Sequence, residues 1–131
     1  MLELFKAIKA RWVDQNVTGD FYLTSAPQGA AYPYGVLVLV NDTPLYTFTS
    51  SREDFLIQLS LYSNEKPAVE VGTMFDEVIA AFDGHSLVVV GYSVCCKFRR
   101  LSSRLLRDPE EAWHYVVEYK LVLNDLTSIY A

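Results

Sequence analysis

The sequence predicts an α+β fold, a mostly antiparallel β-sheet with two α-helices packed on one face. Three observations carry this. Residues 2–13 and 67–82 place apolar side chains at helical spacing, and residues 54–61 and 114–123 alternate apolar and polar side chains as half-buried strands do. The elements follow one another as helix, strands, helix, strands, and burying both helical stripes on one sheet face is the economical solution for that order. At 131 residues a single domain covering 1–131 is expected, long enough to bury about two-thirds of the surface exposed by its unfolded chain. A hydrophobic fraction of 51% with 14% aromatics supports a packed core.

In residues 2–13 the apolar stripe is Leu2, Phe5, Ile8, Trp12 and Val13, with Glu3, Lys6, Lys9 and Arg11 left for solvent. Thr18-Gly19-Asp20 ends the pattern. Residues 21–24 read as a short strand, and SAPQGAAYPYG after it is turn chemistry, punctuated by Pro27, Gly29, Pro33 and Gly35. The β-branched and leucine-rich run at 36–40 suits a strand covered on both faces, with Asn41-Asp42-Thr43-Pro44 as a turn or loop beyond it. Residues 46–63 read as one long strand kinked near 50–53, with Phe55, Ile57, Leu59 and Leu61 on one face and Asp54, Gln58 and Ser60 on the other.

Residues 67–82 carry the clearest helical stripe: Val71, Met74, Phe75, Val78, Ile79 and Phe82, with Pro67 in the first turn and Gly84 at the stop. Residues 86–101 read as a second long strand in which Gly91 marks a bulge or close approach. Asp108-Pro109-Glu110-Glu111 has the composition of a one-turn helix start, Asp as cap and Pro first. The last strand, 114–123, puts Tyr115, Val117, Tyr119, Leu121 and Leu123 on one face.

Sixteen acids against eleven Lys and Arg give a net charge of −5. Nucleic-acid binding, sequence-specific or general, is therefore not expected, because phosphate attraction needs a positive field over a broad surface. The longest apolar runs, 36–40 and 87–90, are too short to cross a bilayer, and Glu3 and Lys6 interrupt the start of the chain. No membrane partner or targeting segment is expected. Cys95 and Cys96 are adjacent, point to opposite faces of a strand, and read as ordinary buried or half-buried thiols. His85 and His114 have no further donors at metal-ligand spacing. The glycines form no phosphate-cradling loop, no G-x-S-x-G elbow occurs, and Asp76 with Glu77, like Glu110 with Glu111, are helix neighbours about 100° apart. The expectation is a non-enzymatic protein with no metal or cofactor.

One stretch stands apart from the acidic background. KFRRLSSRLLR gathers Lys97, Arg99, Arg100, Arg104 and Arg107 around Leu101, Leu105 and Leu106. One reading is a solvated hairpin whose arginines keep an exposed edge soluble. The other is a docking surface, its arginines pairing with carboxylates of a neighbouring subunit, such as Glu70, Asp76 and Glu77 on the anionic face of the 67–82 helix. Opposite charges on different patches permit head-to-tail association, which closes into rings. Tyr32, Tyr34 and Trp113 lie beside loops and complete the interface candidates, since a rigid apolar body with a polar tip suits protein contacts.

Four features together resemble the tail terminator, or tail completion, proteins of long-tailed bacteriophages. They are the helix at 2–13; APQGAAYPYGVLVLV at 26–40, with Pro33-Tyr34 before a buried strand; REDFLIQLSLYS at 52–63, followed directly by the amphipathic helix; and WHYVVEYKLVL at 113–123. The resemblance implies a small α+β subunit forming a ring, usually sixfold, at the head-proximal end of the tail tube, where it halts polymerisation and offers a surface to the head. It implies as partners copies of itself, the tail tube protein and a head–tail connector protein, in a virion tail or neck assembled in the bacterial host cytoplasm. Residues 102–112 map onto no family element. Two alternatives remain: a head–tail connector or stopper of the neck, and a small-molecule-binding or hydrolytic domain with a pocket at His114, Glu118 or Tyr92.

Overall fold

Alternation along two of the three longest strands decides which side of the sheet carries the main core. A computed structural model describes residues 2–46, 51–65, 67–87, 89, 92–95, 97–107 and 112–125. Its elements are α1 (Leu2–Asp14), β1 (Asp20–Leu23), β2 (Tyr34–Tyr46), β3 (Ser51–Ser63), α2 (Val69–Phe82), β4 (Tyr92–Cys95), β5 (Arg99–Arg107) and β6 (Trp113–Asp125). The strands form one sheet in the order β1-β2-β3-β6-β4, and β5 lies against the same side of β6 as β4, further towards its N-terminal end. β1 is parallel to β2, and every other neighbouring pair is antiparallel.

β3 and β6 pair without a register shift from Arg52↔Asn124 to Ser63↔Trp113, so their odd-numbered side chains share one face. There Phe55, Ile57, Leu59, Leu61, Val117, Tyr119 and Leu121 are all fully buried. Both helices cover that face. Leu4, Ile8 and Trp12 of α1 and Val71, Met74, Val78, Ala81 and Phe82 of α2 complete one core cluster, each large apolar side chain contributing about 1.5–3 kcal/mol before entropy is subtracted. Phe75 of α2 stacks on Tyr115 at 4.1 Å. Trp12 crosses β2 at Gly35, and its indole N–H donates to the Gly19 carbonyl at 2.9 Å. Arg11 ties the two helices by donating to the Ala81 carbonyl.

The α1 stripe differs by one step from the sequence reading. Leu4, Ile8 and Trp12 are the buried line, four residues apart, and Val13 is exposed because it lies about 100° around the helix from Trp12. α2 begins at Val69 with no side-chain cap, and it stops as expected at Gly84, whose φ of +74° is the left-handed conformation glycine adopts freely.

Three strand expectations are corrected. Asn41-Asp42-Thr43-Pro44 is no turn: β2 runs through it to Tyr46, absorbing one extra residue at Val40 between the Leu39 and Asn41 pairings. Pro44 is compatible with this because β1 covers β2 only as far as Leu37, which leaves the later half of β2 an edge among the described residues, the place in a sheet where proline occurs. Residues 86–101 are not one strand. Backbone bonds from Gly84 N–H to the Phe98 carbonyl and from Phe98 N–H to the His85 carbonyl, both 3.0 Å, pin Phe98 beside the end of α2, and β5 starts afresh at Arg99. Nor does the 46–63 reading start where expected: Tyr46 ends β2, and β3 runs from Ser51 to Ser63. The basic stretch supplies a full nine-residue strand, Arg99–Arg107. Gly91, Cys96 and the proposed helical turn at 108–111 lie outside the described residues, as does the side chain of Cys95.

A Cβ on Gly35 would stand 2.5 Å from the buried Trp12 ring. Gly35→Ala is expected to lower stability by about 1–3 kcal/mol through overpacking, read as a shift in the denaturation midpoint at unchanged slope.

Candidate protein-interaction surface

The sheet face opposite the helices carries the even-numbered side chains of β3 and β6. Across it runs an aromatic row set by register, Tyr34↔Tyr62↔His114, with Leu106 of β5 next in line. Tyr34 and Tyr62 rings lie 5.0 Å apart, and Tyr62 stacks on His114 at 4.3 Å. Tyr22 and Tyr32 join at the β1 end, 5.9 and 5.2 Å from Tyr34. Tyr32 is exposed and Tyr34 half-buried. Trp113 instead registers with buried Ser63 on the helix-covered face, where its ring carries the Arg107 guanidinium at 5.0 Å. The three aromatic candidates thus divide between two faces. Tyr62 and His114 were missed as members of the row, because alternation assigns a face without revealing which strands are neighbours.

β5 is exposed at every position, with Leu101, Leu105 and Leu106 at 56%, 40% and 43%. Its pairing with β6 divides the side chains. Arg100, Ser103, Leu105 and Arg107 share the helix-covered face, while Arg99, Ser102, Arg104 and Leu106 share the open one, Leu101 being the extra residue at a bulge. Arg100 is held within its own subunit: Nε lies 3.5 Å from Asp83 Oδ1, and the guanidinium sits 5.8 Å from the Phe75 ring centre. Arg99 and Arg104 make no ion pair with the described residues.

The candidate carboxylates also separate. Glu70 accepts from Ser63 Oγ at 2.6 Å, tethering the start of α2 to the end of β3. Glu77 accepts from Thr18 Oγ1 at 2.7 Å and from Thr18 N–H at 3.3 Å, tethering α2 to the turn before β1. Asp76 points to solvent. Behind Arg100, the Tyr119 hydroxyl is buried with no hydrogen-bond partner among the described residues. Burial pushes its pKa well above the ordinary tyrosine value, and the nearby Asp83 carboxylate adds to the rise while Arg100 opposes it. No cluster of three or more potential metal ligands occurs among the described residues.

A surface built of exposed leucine, arginine and aromatic side chains on a rigid sheet suits recognition of other proteins. A family model described as "Tail completion protein gp17" matches residues 3–124. Among solved structures, a chain of the "Virion of native gene transfer agent (GTA) particle" is similar with a TM-score of 0.74 and 13% identity, covering 92% of this chain and 96% of that one. None of the curated proteins matches the sequence.

Tyr119→Phe removes a buried hydroxyl that has no partner among the described residues, so stability at neutral pH is expected unchanged or raised. Above pH of about 10 the unfolded phenol ionises while the buried one does not, and the native protein loses stability as pH rises. The variant should lose less over that range, measured by denaturation at several alkaline pH values. Arg100→Ser, which removes only a partly exposed pair and a ring contact, is expected to cost about 1 kcal/mol or less.

Proposed function

The chain belongs to the tail completion protein family, and on that premise we propose that six copies form a ring capping the head-proximal end of the tail tube. The protein is a structural component of a phage-type tail, located in the tail or neck of the virion. The ring ends tube polymerisation on one rim and offers the other to the head–tail connector protein. It works by shape and surface chemistry, without catalysis or a cofactor.

The observation that carries this reading is β5, nine exposed residues, four of them arginine and three leucine, on the edge of an otherwise acidic molecule. A strand left so open is matched to an assembly in which it becomes covered. Concentrating positive charge there, on the side of the sheet opposite to exposed Asp20 of β1, favours heterologous contacts between different patches, which close into a ring. Arg99, Arg100, Arg104 and Arg107 are the proposed basic side of subunit or tube contacts, with Glu70, Asp76 and Glu77 contributing negative charge on α2. Tyr32, Tyr34 and Trp113 are the proposed aromatic anchors.

Electron microscopy of the purified protein mixed with tail tubes is expected to show rings seated at one tube end and no further elongation there. Absence of binding at micromolar concentration would reject the reading, and binding to the head-side connector alone would make the protein a neck stopper instead. Replacing Arg100, Arg104 and Arg107 together with Ser should weaken assembly while thermal stability falls only slightly, compared by native mass spectrometry and thermal denaturation.

A further inference from the structure

On one side the sheet ends in β1, and on the other β5 and β4 lie end to end along β6, none of the three with a second strand neighbour among the described residues. Arginines alone would blunt the β5 edge against unwanted pairing; the three exposed leucines between them point to a partner. A second β5 is a poor one, because it would set arginines directly against arginines.

The β1 edge complements β5 face by face. Asp20 and Tyr22 register with Tyr34 and Val36 on the open face, and Asp20 is exposed. Along this edge, between α1 and β1, a groove of about 340 Å³ opens, lined by Lys9, Trp12 and Val13 of α1 and by residues 19–22. Val13, 64% exposed, stands in it as apolar surface. β5 presents matching chemistry in matching order, Arg104 on the open face and Leu105 on the helix-covered face. Direction agrees as well. β1 runs with β2, and each step from β2 to β3, β6 and β5 reverses the chain, so β5 runs opposite to β1. A copy placed edge to edge in the same orientation therefore meets it antiparallel, the pairing with the better-aligned hydrogen bonds.

We infer that β5 of one copy adds to β1 of the next as an antiparallel strand, with Arg104 opposite Asp20 and Leu105 opposite Gly19, entering the α1–β1 groove. The sheet then continues across the subunit boundary. β1 has four residues and so covers residues 101–104, the middle of β5. The inference rests on the ring reading and supplies its interface.

The test is a charge-reversal cycle on the full chain, read by native mass spectrometry and sedimentation. Asp20→Arg and Arg104→Asp should each weaken self-association by about tenfold or more, and the double variant should recover most of it. An Asp20→Cys/Arg104→Cys variant should form intersubunit disulfides on mild oxidation, with the native chain as control for Cys95 and Cys96. Rings that persist through both reversals and give no such cross-link would overturn edge pairing and leave the ring reading standing. Loss of rings with Asp76→Arg but not Asp20→Arg would move the acidic partner to α2 and also overturn it. A native chain that stays monomeric and never binds tubes would remove the ring reading and this interface together.

Discussion

Burial of two helices on the odd-numbered face of the β3–β6 ladder is the interaction on which the rest of the molecule depends. That ladder runs for twelve paired positions without a bulge, so a single alternation holds across the middle of the sheet and the side chains that β3 and β6 give to the helix-covered core cluster all arrive on the same side. The register shifts fall elsewhere, at Val40 in β2, between Tyr92 and Val94 in β4, and at Leu101 in β5, where one flank of the strand has no neighbour among the described residues. Irregularity is thus kept out of the ladder that carries most of the sheet's core side chains. Trp12 over Gly35 and Phe75 over Tyr115 then set how closely each helix can approach.

Covering only one face leaves the other to be used. On the open face the aromatic row is held by ring stacking and strand register, so its geometry is rigid before any partner arrives. Rigid aromatic side chains lose little conformational entropy on binding, which suits them as anchors. The acidic side chains of α2 divide their labour similarly. Glu70 and Glu77 are occupied as hydrogen-bond acceptors that fix α2 against β3 and the turn before β1. Asp76, Asp14 and Asp20 remain to shape the outer field.

A fold shared with a gene transfer agent virion chain at 13% identity fits a subunit whose core needs only apolar residues of suitable volume at alternating positions. The exposed edges lie apart from that core, and substitution there does not threaten it. The same division explains why β5 can hold three exposed leucines. Their cost falls on the solubility of the chain rather than on its stability.

Local periodicity was sufficient for the helices, the inward faces of β3 and β6, and the α+β class, because these depend on which residues avoid water within a few turns or strand steps. Alternation also placed Tyr119 and Leu121 inside and Asp54 and Gln58 on the opposite face. It could not reveal that β2 continues past Pro44, since a proline is tolerated only where a neighbour is missing, and neighbours are distant in sequence. Nor could it tell that the arginine–leucine stretch is an edge strand, that Arg100 reaches its own Asp83 and Phe75, or that Tyr34, Tyr62 and His114 form one row. Those features arise from register between strands separated by a helix and by tens of residues, and register is decided by the packed sheet as a whole, where one residue of slip would carry every buried side chain into water.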